Sequence, residues 1–177
     1  RGRGEAYVDL VIDEMLPAAA AWHRQSVFAT HGIPLFADVF CEENAFSVAQ
    51  SRRVLEAAAS AGLRLKAHVD EFTALGGLQM ALELNAISVD HLDVTGGEGI
   101  RQLSNSDAVG VVIPTVNFNL GSTHFADARG MVDAGCAIAA DSAASPCRPP
   151  ATCIFRKQSL TKSCRILPAF APGHSAF

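Results

Sequence analysis

Six histidines and 18 acidic residues are scattered over 177 positions, but two short runs combine them in the same way. Lys66-Ala67-His68-Val69-Asp70-Glu71 and Val89-Asp90-His91-Leu92-Asp93 each carry an apolar stretch into an imidazole and a carboxylate. A third apolar stretch, Val109 to Ile113, is followed by Asn117, Asn119 and His124, and a fourth, Cys136 to Ala140, runs into Asp141. Neutral imidazole and carboxylate suit a catalytic Zn2+ or iron ion that keeps one position open for water. Such an ion makes water acidic near neutral pH. A carboxylate such as Glu71, three residues past His68, can take and return the proton. On spacing alone each group also has an ordinary structural role. A strand-end histidine is often just hydrogen-bonded, Glu71 fits a solvated loop, and Asp141 fits a turn. His23, His31 and His174 fall in irregular segments and read as structural or exposed, and Cys41 reads as a buried thiol.

These groups meet only if the runs that carry them are neighbouring parallel strands, and the periodicity supports that. Short apolar runs centred near Ala37, Leu65, Ser88, Val111 and Ile138 are 23 to 28 residues apart. Helical patterns separate them. Glu5 to Leu16 has an apolar face and is expected to end or kink at Pro17, with residues 22–34 irregular. Ser47 and Gln50 form a capping box, and Gly62 suits the end of that helix. Thr73 is expected to cap the next helix, with Leu75, Leu78 and Leu82 inward and Asn85 at its end. Thr95 with Glu98 caps a fourth, and Ser122 or Thr123 a fifth that Gly135 terminates. Alternation of this kind predicts an α/β fold with a parallel sheet and right-handed crossovers. A doubly wound sheet and part of a (β/α)8 barrel both fit, and in both the active site lies at the C-terminal strand ends. No glycine-rich phosphate loop follows any strand.

Composition narrows the class. Hydrophobic residues make up 49% and charged residues 18%, which suits a packed domain with buried parallel strands. Net charge is −4 and no basic stripe follows a helix, so no nucleic-acid partner is expected. No apolar run is long enough for a membrane span. Five cysteines without framework spacing point to reduced thiols and a cytoplasmic location. Residues 142–177 differ from the rest: they hold none of the acids, five of the 14 bases, five of the eight prolines and three of the five cysteines. The expected division is a catalytic-type unit over 1–141 and a basic, frameshifted or disordered tail over 142–177.

Several runs together resemble the imidazolonepropionases of the amidohydrolase superfamily. They are Tyr7-Val8-Asp9-Leu10-Val11-Ile12-Asp13-Glu14-Met15-Leu16-Pro17, Ala37-Asp38-Val39-Phe40-Cys41-Glu42, Phe46-Ser47-Val48 with Ser51-Arg52-Arg53-Val54-Leu55, Lys66-Ala67-His68-Val69-Asp70-Glu71-Phe72, Asp90-His91-Leu92-Asp93-Val94-Thr95, and Leu120-Gly121-Ser122-Thr123-His124. They occur in the family's order over about residues 5–139. The resemblance implies a TIM-like barrel, here about strands four to eight, and hydrolysis of the small molecule 4-imidazolone-5-propanoate to N-formimidoyl-L-glutamate in histidine degradation. It implies one Zn2+ or Fe3+ ion and a homodimer. It makes His68 a metal ligand, Glu71 the acidic residue that contacts substrate and moves protons, and His91 a catalytic residue beside the reacting centre. The family's metal-binding Asp follows its eighth strand in an Ala-Thr-Asp-x-Asn-Pro-Gly-like loop. Here the run is Ala139-Ala140-Asp141-Ser142-Ala143-Ala144-Ser145-Pro146, so Asp141 is the candidate ligand but arrives about two residues early. The family's His-x-His ligand pair has no counterpart in this chain, and the chain alone is expected to be inactive. The alternatives are another cyclic-amide hydrolase or deaminase of the superfamily, or a non-catalytic remnant that needs a partner chain.

Overall fold

A computed structural model of the protein describes residues 2–141 and 153–155. Five strands pair in parallel in strict sequence order: β1 (Phe36–Cys41), β2 (Arg64–Val69), β3 (Ser88–His91), β4 (Val109–Val112) and β5 (Ala137–Ala140). A short sixth strand, β6 (Cys153–Phe155), pairs antiparallel with β5. The tail expected over 142–177 otherwise lies outside the described residues.

The strand order decides between the two architectures left open by the sequence. A doubly wound sheet reverses direction part-way and places helices on both faces. Here order never reverses, and right-handed crossovers then leave every intervening helix on the same side. Contacts agree: α4 (Val48–Ser60) packs on β1 and β2, α5 (Gly77–Glu83) on β2 and α4, α6 (Gly97–Ser104) on α5, and α8 (Ala128–Asp133) on β5 and α6. The chain forms an arc of a (β/α) barrel.

The two faces separate by alternation most clearly in β1 and β2, whereas β3 is buried throughout. Ala37, Val39 and Cys41 of β1, and Leu65, Ala67 and Val69 of β2, are buried towards the helices. Phe36, Asp38 and Phe40, then Arg64, Lys66 and His68, face the other way and are more exposed. That second face is the inside of the arc. Packing is tight around Gly110 of β4. A Cβ on Gly110 would lie 2.9 Å from both Ile138 and Leu92 and 3.1 Å from Leu103.

Several sequence expectations change. Pro17 does not end the first helix. α1 (Gly2–Leu10) passes through a π-helical turn, Val11–Met15, into α2 (Leu16–Gln25), with Pro17 in the first turn of α2. The wide turn closes through Leu16 N–H to Val11 O. Pro17 then falls where a missing N–H costs little. Much of the segment expected to be irregular is therefore helical, including Trp22 and the short α3 (Val27–Thr30). The Ser47–Gln50 capping box forms as expected. Thr73 and Thr95 cap nothing; α5 and α6 start at Gly76 and Gly96 without a side-chain cap bond. Pro114 closes β4 but opens α7 (Pro114–Asn119), and Asp127, not Ser122 or Thr123, caps α8.

Candidate active site

His68 is the last inward-facing residue of β2, one position before the strand ends. The parallel register places Phe40 of β1 and Asp90 of β3 beside it. His91 is the last residue of β3, and its ring lies 5.3 Å from the His68 ring, centroid to centroid. Glu71, in the loop after β2, brings Oε2 to 3.4 Å from His91 Nε2. The two sequence runs that end in imidazole and carboxylate therefore meet, at the C-terminal ends of adjacent strands.

The backbone bends sharply to achieve this. Asp70 has φ 53°, His91 φ 79° and Leu92 φ 65°, left-handed values that a side chain disfavours. The loops that hold them are stitched together. Val94 N–H donates to Asp70 O (3.0 Å), Leu92 N–H to Val69 O (3.2 Å), and the Thr95 hydroxyl to Asp70 Oδ2 (2.8 Å). Thr95 thus holds the site loop and not a helix end. Burial still pushes the Asp70 carboxyl above its ordinary range, against the Thr95 bond.

Glu42, one residue past β1 and only 3% exposed, performs a related task. Its carboxylate accepts from the backbone N–H groups of Glu43 (2.8 Å), Phe72 (3.0 Å) and Thr73 (3.1 Å). Two of those bonds grip the residues that follow Glu71. Burial works against its charge, but the N–H donors more than offset it, and the carboxyl lies below its usual range.

Electrostatics distinguishes the groups gathered here. Burial raises the Glu71 carboxyl, with the neighbouring His91 opposing the shift. The hydrogen bond from His68 Nδ1 to Asp38 Oδ1 (3.0 Å) pulls the His68 imidazole up despite burial, and Asp90 adds to that pull. Asp90 is itself paired with Lys66 Nζ (3.0 Å) and accepts from Ser88 (3.2 Å). Among the described residues, His91 Nδ1 and Asp93 Oδ2 are both buried without a hydrogen-bond partner and lie 3.7 Å apart. Asp93 Oδ1 accepts from Ala126 N–H.

Asp141 follows β5, and its N–H donates to Val112 O. Its Oδ1 is buried with no hydrogen-bond partner among the described residues, and such an oxygen suits a cation. Among the described residues, the group able to bring donor atoms within 4.8 Å of one another is Asp38, His68 and Asp90; Asp141 is not in it. Three strand steps separate β2 from β5, so the two would meet only across the mouth of a barrel. The donor chemistry, imidazole with carboxylate, fits a zinc or iron ion. His23 is half-buried and His31 exposed, both bonded to backbone carbonyls, and His124 is exposed. Cys41 is buried, and burial raises its thiol pKa.

Comparison with known proteins follows the same lines. No family model matches the chain. The imidazolonepropionase of Chloroflexus aggregans is 54% identical over 169 residues, 95% of this chain and 40% of that protein. The imidazolonepropionase of Herpetosiphon aurantiacus is 47% identical over 167 residues, 94% and 38% respectively. Among solved structures, a triazine hydrolase variant aligns with TM-score 0.47 at 14% identity, over 58% of this chain and 25% of its own. A guanine deaminase from C. acetobutylicum with bound guanine aligns with TM-score 0.45 at 18% identity, over 54% and 27%. The chain spans about 40% of the length of the first of these curated relatives. Over the residues it shares with them, the chain belongs to the imidazolonepropionase family.

Proposed function

We propose that this chain carries the second half of a metal-dependent cyclic-amide hydrolase site, and that its substrate is 4-imidazolone-5-propanoate, opened to N-formimidoyl-L-glutamate. The observation that carries this reading is the meeting of Glu71 with His91 at 3.4 Å, beside the His68 ring, at neighbouring strand ends. His68 and Asp141 would hold the metal, Zn2+ or Fe3+. Bound there, such an ion supplies electrophilic polarisation and lowers the pKa of water.

The chain's own residues do the rest. Glu71 is buried enough that its carboxyl is raised, which suits a group that accepts a proton from water and returns it to the leaving nitrogen. His91 Nε2 lies beside Glu71 and can hydrogen-bond the oxygen on which charge develops. Glu42 and Thr95 keep the two loops in place, so the geometry is set before substrate arrives. A catalytic zinc takes three protein ligands, and His68 with Asp141 supplies two, so the chain alone is expected to be inactive.

Complementation tests the reading. The chain is co-expressed with the N-terminal portion of the Chloroflexus aggregans relative that it does not match, and ring opening is followed. Turnover should appear only with both pieces, and Glu71→Gln should lower kcat by about 10²- to 10⁴-fold. Full turnover by a Glu71→Gln assembly would exclude Glu71 as the proton carrier. An assembled pair that leaves the substrate intact would refute the substrate assignment.

A further inference from the structure

Two carboxylates compete for the His68 ring. Asp38 Oδ1 lies 3.0 Å from Nδ1, and Asp90 Oδ2 lies 3.7 Å from Nε2. Whichever accepts the ring N–H decides which nitrogen keeps a lone pair. The register explains the outcome. Asp38 sits opposite Lys66, two positions before His68 and on the same face, so it reaches the ring from the N-terminal side of the strand. Lys66 does not pair with it. The Lys66 ammonium goes instead to Asp90, at 3.0 and 3.5 Å. Asp90 is thereby occupied by Lys66 and Ser88, while the hydrogen bond of Asp38 goes to His68.

We propose that Asp38 is a positioning residue: by accepting the Nδ1–H of His68 it holds the imidazole in the tautomer and orientation that leave Nε2 free to bind a metal ion. A ligand histidine commonly donates its other N–H to a carboxylate, and loss of that partner typically weakens metal binding about 10- to 100-fold. This role rests on the proposed function, in which His68 is a metal ligand. It differs from direct ligation by Asp38, which the approach of Asp38, His68 and Asp90 donor atoms within 4.8 Å also permits. Lys66 on Asp90 disfavours that alternative, because it spends one of the two carboxylates on a cation already present.

The test uses the full chain, with ¹⁵N-labelled histidine and a Zn2+ titration, for wild type, Asp38→Ala, Asp38→Asn and His68→Ala. In the metal-free wild type with a neutral ring, ¹⁵N shifts should show His68 protonated on Nδ1. Asp38→Ala should shift the proton to Nε2, facing Asp90, and weaken Zn2+ binding about 10- to 100-fold. Asp38→Asn keeps an acceptor oxygen and should restore the tautomer and most of the affinity. Equal loss in Asp38→Ala and Asp38→Asn, with the tautomer unchanged, would overturn positioning in favour of ligation. Unchanged tautomer and affinity in Asp38→Ala would overturn any role for Asp38 and leave the metal reading intact. Zn2+ binding that ignores His68→Ala would overturn the metal reading itself, whatever the tautomer.

Discussion

Glu42 is not hydrogen-bonded to the side chains of His68, Glu71 or His91, yet three backbone N–H groups depend on it. Its carboxyl is lowered in the folded state, so its contribution is complete above the ordinary glutamate value of about 4.3 and is lost as pH falls through the lower folded value. Glu42→Gln should cost about 1–3 kcal/mol at neutral pH and much less in acid, as read from Tm against pH. An equal cost at both would mean the charge is irrelevant. Glu71 has the opposite sign. Its carboxyl is raised, so it destabilises the fold as pH rises from the ordinary value through the folded one. Glu71→Gln should therefore raise Tm at neutral pH and leave it unchanged in acid, even as it removes the proposed activity. His68, Glu71 and His91 were legible in the sequence because each sits where an apolar run ends, a position that parallel folds reserve for chemistry. Asp38 and Asp90 take their roles from pairings 30 and 22 residues away from His68, set by strand register, which linear spacing does not encode. The alternation of Phe36, Asp38 and Phe40 against Ala37, Val39 and Cys41 was the available signal that Asp38 faces inward.

The elements were legible where hydrophobic period and local capping agreed, as in the Ser47–Gln50 box before α4 and the five apolar runs that became β1 to β5. They were misread where a side chain with cap chemistry had a tertiary partner. Thr95 looks like a helix cap, but its hydroxyl goes to Asp70, a buried carboxylate for which that bond offsets part of the burial. Thr95→Val should destabilise the chain by about 1–3 kcal/mol, measured by urea denaturation. Wild-type stability in this variant would show that Asp70 finds another donor. Pro17 was misread for a different reason: the π-helical turn ahead of it moves the missing donor to a helix start. The close packing around Gly110 of β4 also belongs to this scale. Gly110→Ala places a methyl 2.9 Å from Ile138 and Leu92, and should cost about 1–3 kcal/mol through overpacking. Neutrality would mean that those side chains have room to shift.

Across the whole molecule, the two faces of the sheet are unequal. Helices cover one, while the inner face displays Phe36 at 41% and Phe40 at 38% exposure, and β1 has an unpaired edge among the described residues. No helix among those residues is long and apolar enough to cross a membrane. An open apolar arc of this kind should bind a hydrophobic dye and associate as concentration rises, and both effects should fall when a complementary barrel half is supplied. Dye binding that is unchanged in the complemented pair would show that the inner face is not where that half docks. The arc also explains why His68 and Asp141 stand at strands three steps apart: they face one another only when the strands curve around a common mouth. The most direct measurement is metal content of the complemented assembly, comparing wild type with His68→Ala and with His23→Ala as a control outside the site. One zinc or iron ion per assembled barrel, lost in His68→Ala and kept in His23→Ala, is the expected result. An ion retained without His68 would contradict the site built here from β2, β3 and β5.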